Sequence, residues 1–167
     1  MRDRALPAER VVPDVSPSES DAAFTALYRA HYPSLVRLAA VIVDDDAVAE
    51  EVVQEAFARL HMRWSRVDDP ASYVRRSTVN GCRDVLRRRR LERTFLRRQT
   101  TTDQHPEPDF LGDALARLPA RERIALVLRH YEGLSEQQIA EALGCPPGTV
   151  KTLLHRGGKR LRQQLER

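Results

Sequence analysis

The sequence predicts an all-α protein: two small helical domains joined by a flexible linker, the second a helix-turn-helix. Three observations predict it. Apolar residues recur at three- and four-residue steps through most of the chain, and nothing reads as a strand. A polar stretch with two close prolines, RRQTTTDQHPEPDF, interrupts that pattern between about Glu92 and Gly112. At 167 residues and 41% hydrophobic content, the chain can build small cores more readily than one large sandwich or barrel.

Residues 1–20 are rich in Pro, Ser and charge and are expected to form a disordered tail. A helical stripe then runs through Phe24, Leu27, Tyr28, Leu35, Leu38, Ala39 and Ile42, with Pro33 expected to end or kink it. The next helix spans roughly Asp46–Trp64, stepping by four through Val48, Val52, Ala56, Leu60 and Trp64. Its acidic start suits the positive end of the helix dipole. A third helix opens at DDPASYV, with Asp69 as N-cap and Pro70 in the first helical position, and closes in the run Arg87–Arg90. These helices form a first domain over 21–91, followed by a linker over 92–112.

The second domain covers 113–167. DALARLP is a short helix stopped by Pro119, and Ala120–Gly133 carries Ile124, Val127, Leu128 and Tyr131 on one stripe. Ser135 and Gln138 have the spacing of a capping box, and Gly144 suits a left-handed helix end. The last helix, about Pro147–Leu165, turns Val150, Leu153, Leu154 and Leu161 inward and carries Thr149, Lys151, Thr152, His155, Arg156 and Lys159 as polar positions. A short helix, a tight turn and a second helix with outward polar residues form a DNA reader. The same pattern also suits a plain packing hairpin with a cationic end.

The balance is basic, at formal +4, and Lys151 and Lys159 are the only lysines. Arginine's planar fork matches phosphates and guanine edges. The Arg-rich third helix is either a solvated helix end or a phosphate-binding face, and Tyr73 nearby would suit unpaired bases. Trp64 sits on the apolar stripe and is expected in the core. No Gly-rich phosphate loop, nucleophile elbow or HExxH is present, so no enzyme, cofactor or metal is expected. Cys82 and Cys145 lie far apart and are expected to be buried spacers, and the acidic run DDDAVAEE reads as a helix start. No signal peptide or membrane span is evident, LAAVIV being the longest apolar run. A cytoplasmic protein without membrane insertion is expected.

The blocks VVQEAFARL, DDPASYVRRSTVN and LSEQQIAEALGCPPGTVK, in this order and with this linker, resemble the extracytoplasmic-function (ECF) sigma factors of the sigma-70 family, above all the short actinobacterial SigE-type group. Phe24–Arg90 is similar to the promoter-melting domain (region 2) and Leu115–Leu165 to the domain that reads the upstream element (region 4). The resemblance implies a non-enzymatic initiation factor. Its partners would be core RNA polymerase, through the β′ clamp helices and β flap, promoter DNA, and an anti-sigma factor that no residue identifies. It implies polymerase docking for Glu51, Gln54, Glu55 and Arg59. For Arg63, Ser72, Arg75, Arg76, Asn80 and Arg83 it implies contact with the melted −10 element, where Arg63–Ser72 is the loop that captures a flipped base and Asn80 lines its pocket. Duplex −35 reading falls to Thr149, Lys151, Thr152, His155, Arg156 and Lys159. Three departures from the family pattern predict a softer −35 module. Pro146 replaces a capping Ser, worth about 1 kcal/mol; Leu153 replaces an Arg; Gly157–Gly158 replaces a helix-favouring pair, at about 1 kcal/mol per glycine. The alternatives are a helix-turn-helix regulator acting without polymerase, and a protein that occupies the polymerase clamp without starting transcription.

Overall fold

The computed structural model describes residues 17–96 and 110–166. Among these, the chain forms seven α-helices, one 3₁₀ turn and no strand. The helices are α1 (Pro17–Val43), α2 (Asp46–His61), α3 (Pro70–Leu96), α4 (Phe110–Ala116), α5 (Ala120–His130), α6 (Glu136–Leu143) and α7 (Pro147–Leu165), and the turn is Trp64–Arg66.

Several boundaries differ from expectation. Helix α1 starts at Pro17, so residues 17–20 are helical and the rest of the expected tail lies outside the described residues. Proline in the first helical position gives up an N–H that has no partner there anyway. The helix also continues through Pro33. Pro33 and Arg29, whose carbonyl loses its usual donor, are both exposed, so water can serve that carbonyl. The Ser34 hydroxyl donates to His31 O at 2.9 Å in the same turn. The expected linker is helical at both ends, since α3 runs to Leu96 and α4 begins at Phe110. Residues 97–109 lie outside the described ones.

The turn from α1 to α2 is tight. Asp44 takes the left-handed conformation (φ 57°) that usually falls to glycine, and its N–H reaches Ala40 O at 2.8 Å. Asp45 then caps α2, accepting from Val48 N at 3.1 Å. Helices α1, α2 and α3 pack together around Leu38, Ile42, Val53, Leu60, Val74 and Cys82, all fully buried. Each large apolar side chain buried in this way contributes about 1.5–3 kcal/mol. Gly81 sets how closely α3 lies on α2: a Cβ there would sit 2.7 Å from Val52 Cγ1. Trp64 packs edge-on against Phe24, ring centroids 5.4 Å apart, and so anchors the 3₁₀ turn to the core.

The second module winds α4, α5 and α6 around α7. Helix α5 is buried from Glu122 to Leu128 without a break, more than one amphipathic stripe provides. It has neighbours on two sides: α6 and α7 of its own module, and α1 and α3 of the first. Helix α6 also rests on α3, and the buried apolar cluster runs on from Leu35 to Val150. The two modules are thus packed against each other. Arg123 of α5, 7% exposed, donates from Nη1 to Ile42 O at 2.8 Å and from Nη2 to Ala116 O. Arg89 of α3 donates to Val43 O and to Asp45 Oδ2, the latter at 2.9 Å. Two guanidiniums, one from each module, therefore cap carbonyls at the negative end of α1. Tyr131, placed on the inner stripe by spacing, is exposed because α5 ends one residue before it.

Candidate nucleic-acid interface

The helix-turn-helix forms as its caps require. Ser135 and Gln138 make the reciprocal capping box, with Gln138 N to Ser135 Oγ at 3.2 Å and Ser135 N to Gln138 Oε1 at 2.9 Å. Gly144 ends α6 at φ 60°. Pro146 precedes α7 without any side-chain cap, and Thr149 N bonds Pro146 O at 2.9 Å. Val150 is fully buried, while Leu153 and Leu154 lean half-buried on the core. The opposite face then carries Lys151, Thr152, His155, Arg156 and Lys159, all exposed, with Thr149 half-buried at its edge. Lys151, His155 and Lys159 stand four apart in one row, with Thr152 and Arg156 in the next. The Thr152 hydroxyl donates to Gly148 O at 3.1 Å, so toward a ligand it acts as an acceptor.

Gly157 has a packing role that propensity alone does not show. A Cβ there would lie 3.1 Å from Leu126 Cδ1 and 3.2 Å from Glu122 Cβ. The glycine lets α7 lie directly on α5, where Arg160 Nη1 meets both oxygens of the buried Glu122 at 2.9 and 3.0 Å. Gly158 has open space around it and no comparable reason.

In the first module, the loop after α2 and the start of α3 enclose a cleft of about 580 Å³, lined among others by Arg63, Arg66, Asp69, Ser72, Tyr73 and Arg76. Asp69 caps α3, accepting from Ser72 N at 3.0 Å, and the Ser72 side chain and N–H hold its carboxyl below the ordinary 3.8. Of the expected −10 residues, Arg63, Ser72 and Arg76 come together here. Asn80 does not line this cleft; it continues the exposed Ser72–Arg76 row one turn on and accepts from Arg83 Nη1 at 3.2 Å. Arg75 does not line the cleft either; it is half-buried, with its Nε shielded from solvent and without a hydrogen bond. Arg66, within the expected base-capturing loop, and Tyr73, the aromatic expected to suit unpaired bases, also line the cleft. The three-residue spacing from Arg63 to Arg66 was the available signal, readable only once the 3₁₀ turn is known.

Along α2, Val52, Val53, Ala56, Phe57 and Leu60 are buried, and Glu51, Gln54, Glu55 and Arg59 all face solvent. Glu55 and Arg59 pair across one turn, and Gln54 Nε2 donates to Tyr32 OH at 3.4 Å. Such an exposed pair adds little stability, so this face is available to a partner. Cys82 is buried and its thiol is pushed up to about 12 by burial. Cys145 is half-buried against the core. Among the described residues, no group of His, Cys, Asp and Glu could hold a metal ion.

Comparison with known proteins gives matches in both modules. The family model described as Sigma-70 region 2 matches residues 27–92, and that described as Sigma-70, region 4 matches residues 111–161. The chain is 35% identical over 152 residues to the RNA polymerase sigma-E factor of Streptomyces antibioticus, covering 86% of this chain and 84% of that protein. It is 32% identical over 155 residues to the ECF RNA polymerase sigma factor SigL of Mycobacterium tuberculosis, covering 84% and 88%. Among solved structures, the sigma factor RpoE of Bartonella quintana, in complex with the anti-sigma factor NepR, has a similar fold. That match has a TM-score of 0.69 and 21% identity, over 86% of this chain and 97% of that one.

Proposed function

The chain belongs to the sigma-70 family as an RNA polymerase sigma factor of the ECF group, and from that premise we propose how its residues divide the work. It binds core RNA polymerase and promoter DNA and directs transcription initiation. In our reading, residues 21–91 form the polymerase-binding and melting domain, and 113–167 the −35 domain. The exposed face of α2, with Glu51, Gln54, Glu55 and Arg59, docks on the polymerase clamp. Arg63, Ser72 and Arg76, with Arg66 and Tyr73, take an unstacked −10 base into their cleft, and Asn80 and Arg83 follow the strand along α3. Lys151, Thr152, His155, Arg156 and Lys159, edged by Thr149, enter the −35 major groove. The observation that carries this division is that three separate polar faces remain exposed while the same helices bury their apolar sides.

The factor itself performs no catalysis in this reading, and its place is the cytoplasm. No described helix is long and apolar enough to cross a membrane. An anti-sigma factor completes the proposed partners, by analogy with the complex of the Bartonella quintana protein.

The test is multi-round transcription with purified chain, host core polymerase and a genomic promoter library, mapping product 5′ ends. Discrete starts sharing two upstream elements are expected. Polymerase binding with no starts would mark a clamp-occupying protein instead. Replacing Gln54 and Glu55 by Ala should weaken polymerase binding; unchanged affinity would refute the docking face.

A further inference from the structure

A cleft of about 770 Å³ lies where the two modules meet. Its lining is strongly cationic. Arg83, Arg87 and Arg90 of α3 share it with Arg117 and Arg121 of the second module, against only Asp44 and Asp84. Arg89 and Arg123 also line it and bond the carbonyls at the end of α1, and Arg83 donates to Asn80 Oδ1. Asp84 pairs with Arg87 at 3.2 Å, and with Asp44 it offsets two of the seven guanidinium charges in the lining, which stays net cationic. Packing two arginine-bearing surfaces together is opposed by repulsion, which an anion between them would relieve. Guanidinium groups match phosphate in a bidentate way. The volume is that of a nucleotide-sized site, and Leu86, Leu118 and Pro119 supply an apolar wall. No aromatic residue among the lining offers a platform for unpaired bases, as single-strand binding needs.

We propose that this cleft binds a small polyphosphate, as an inorganic chain or as part of a nucleoside polyphosphate, through arginines of both modules, and that its occupancy favours the packed arrangement. The consequence for transcription rests on the sigma-factor reading. Elements centred at −10 and −35 lie about 25 base pairs, or ~85 Å, apart at ~3.4 Å per pair. A packed protein of this size has a radius of gyration near ~15 Å. With α3 seated on α6, the two readers cannot reach both elements. A ligand that favours packing must therefore disfavour promoter reading to the same degree.

The experiment is titration calorimetry of the full chain with tripolyphosphate at physiological salt. We expect one site per chain, weakened about tenfold or more by Arg117→Ala/Arg121→Ala and nearly unchanged by Arg29→Ala/Arg37→Ala on the exposed face of α1. Several sites, or equal losses in the two variants, would overturn the proposal in favour of diffuse charge attraction. Displacement of tripolyphosphate by a lower concentration of thymidine octanucleotide would overturn it by giving the cleft to a DNA strand. Guanosine triphosphate binding more tightly than tripolyphosphate would support a nucleoside ligand, and equal binding an inorganic one. At matched free magnesium, tripolyphosphate should lower promoter-directed transcription by the parent chain and spare the Arg117→Ala/Arg121→Ala variant. Binding without that difference would overturn the closing effect and leave the sigma assignment standing.

Discussion

The two modules present their candidate DNA contacts in opposite shapes. In the first, Arg63, Arg66, Ser72, Tyr73 and Arg76 surround a cleft, and Arg75 and Arg83 are half-buried. In the second, α7 offers a convex row from Lys151 to Lys159, all at solvent except its edges. In the proposed reading, each shape matches the form of nucleic acid it would meet. An unstacked base needs walls on several sides, whereas a duplex groove accepts a projecting helix. The modules agree in another respect: each candidate reading helix is seated by a glycine, Gly81 for α3 and Gly157 for α7.

The largest effects should separate the two shapes. Tyr73→Ala should cost about 1–3 kcal/mol in binding of a single-stranded −10 oligonucleotide by the polymerase complex. Arg156→Ala should cost about 1–3 kcal/mol on a −35 duplex if it reads a base. Competition assays on each DNA check both, and each variant should leave the other DNA unaffected. A loss from Arg156→Ala that is uniform across −35 sequences would make it a phosphate contact. Next come the seats. Gly81→Ala should destabilise the chain by about 1–3 kcal/mol in urea unfolding, because the new methyl overlaps Val52. Gly158→Ala should stabilise it by up to ~1 kcal/mol, since the added methyl meets nothing. Gly157→Ala should show no such gain, and if it did, α7 would not be tied to α5 as described.

The smallest effect separates the modules by pH. Two caps of the first module, Asp45 and Asp69, have carboxyls held below their ordinary 3.8: Asp45 by the Val48 N–H first and then by Arg89, Asp69 by Ser72. A lowered folded-state value contributes stability that is complete above the unfolded value and is lost as pH falls through the folded one. The first module should therefore lose this contribution below about pH 4. The cap of α6 is the neutral Ser135, which has no charge to lose. Asp45→Asn keeps a capping side chain while removing the charge facing Arg89, so it should flatten part of this acid limb. An unchanged acid limb in circular dichroism would exclude the Asp45–Arg89 pair as its source.

Much of the fold was legible because its signals are local. The Ser135–Gln138 box, the left-handed Gly144, the Asp69 cap and the buried faces of α2 and α7 each depend on residues within a few turns. The order of the three blocks identified the family, and the outward row of α7 followed from helical spacing. The −10 site was legible only in part. Arg75 and Arg76 are identical in sequence terms, yet one is half-buried with a shielded Nε and the other lines the cleft. Their fates depend on where α3 sits. Pro33 and Gly157 depart from the propensity reading for the same reason: propensity prices a residue in an isolated helix, and here exposure and close packing decide.

The sequence by itself determined where most of the helical segments lie, the caps of α3 and α6, the apolar faces of α2 and α7, and to which family the chain belongs. These follow from hydrogen bonds and periodicities that close within about ten residues. Only the tertiary structure decided that the modules pack together, that Arg123 reaches across to Ile42 O, and that arginines from both sides share one cleft. Arg123 and Ile42 are 81 positions apart. A local pattern states that a face will be buried, but its partner is chosen by the summed fit of distant surfaces, which no short stretch of sequence contains.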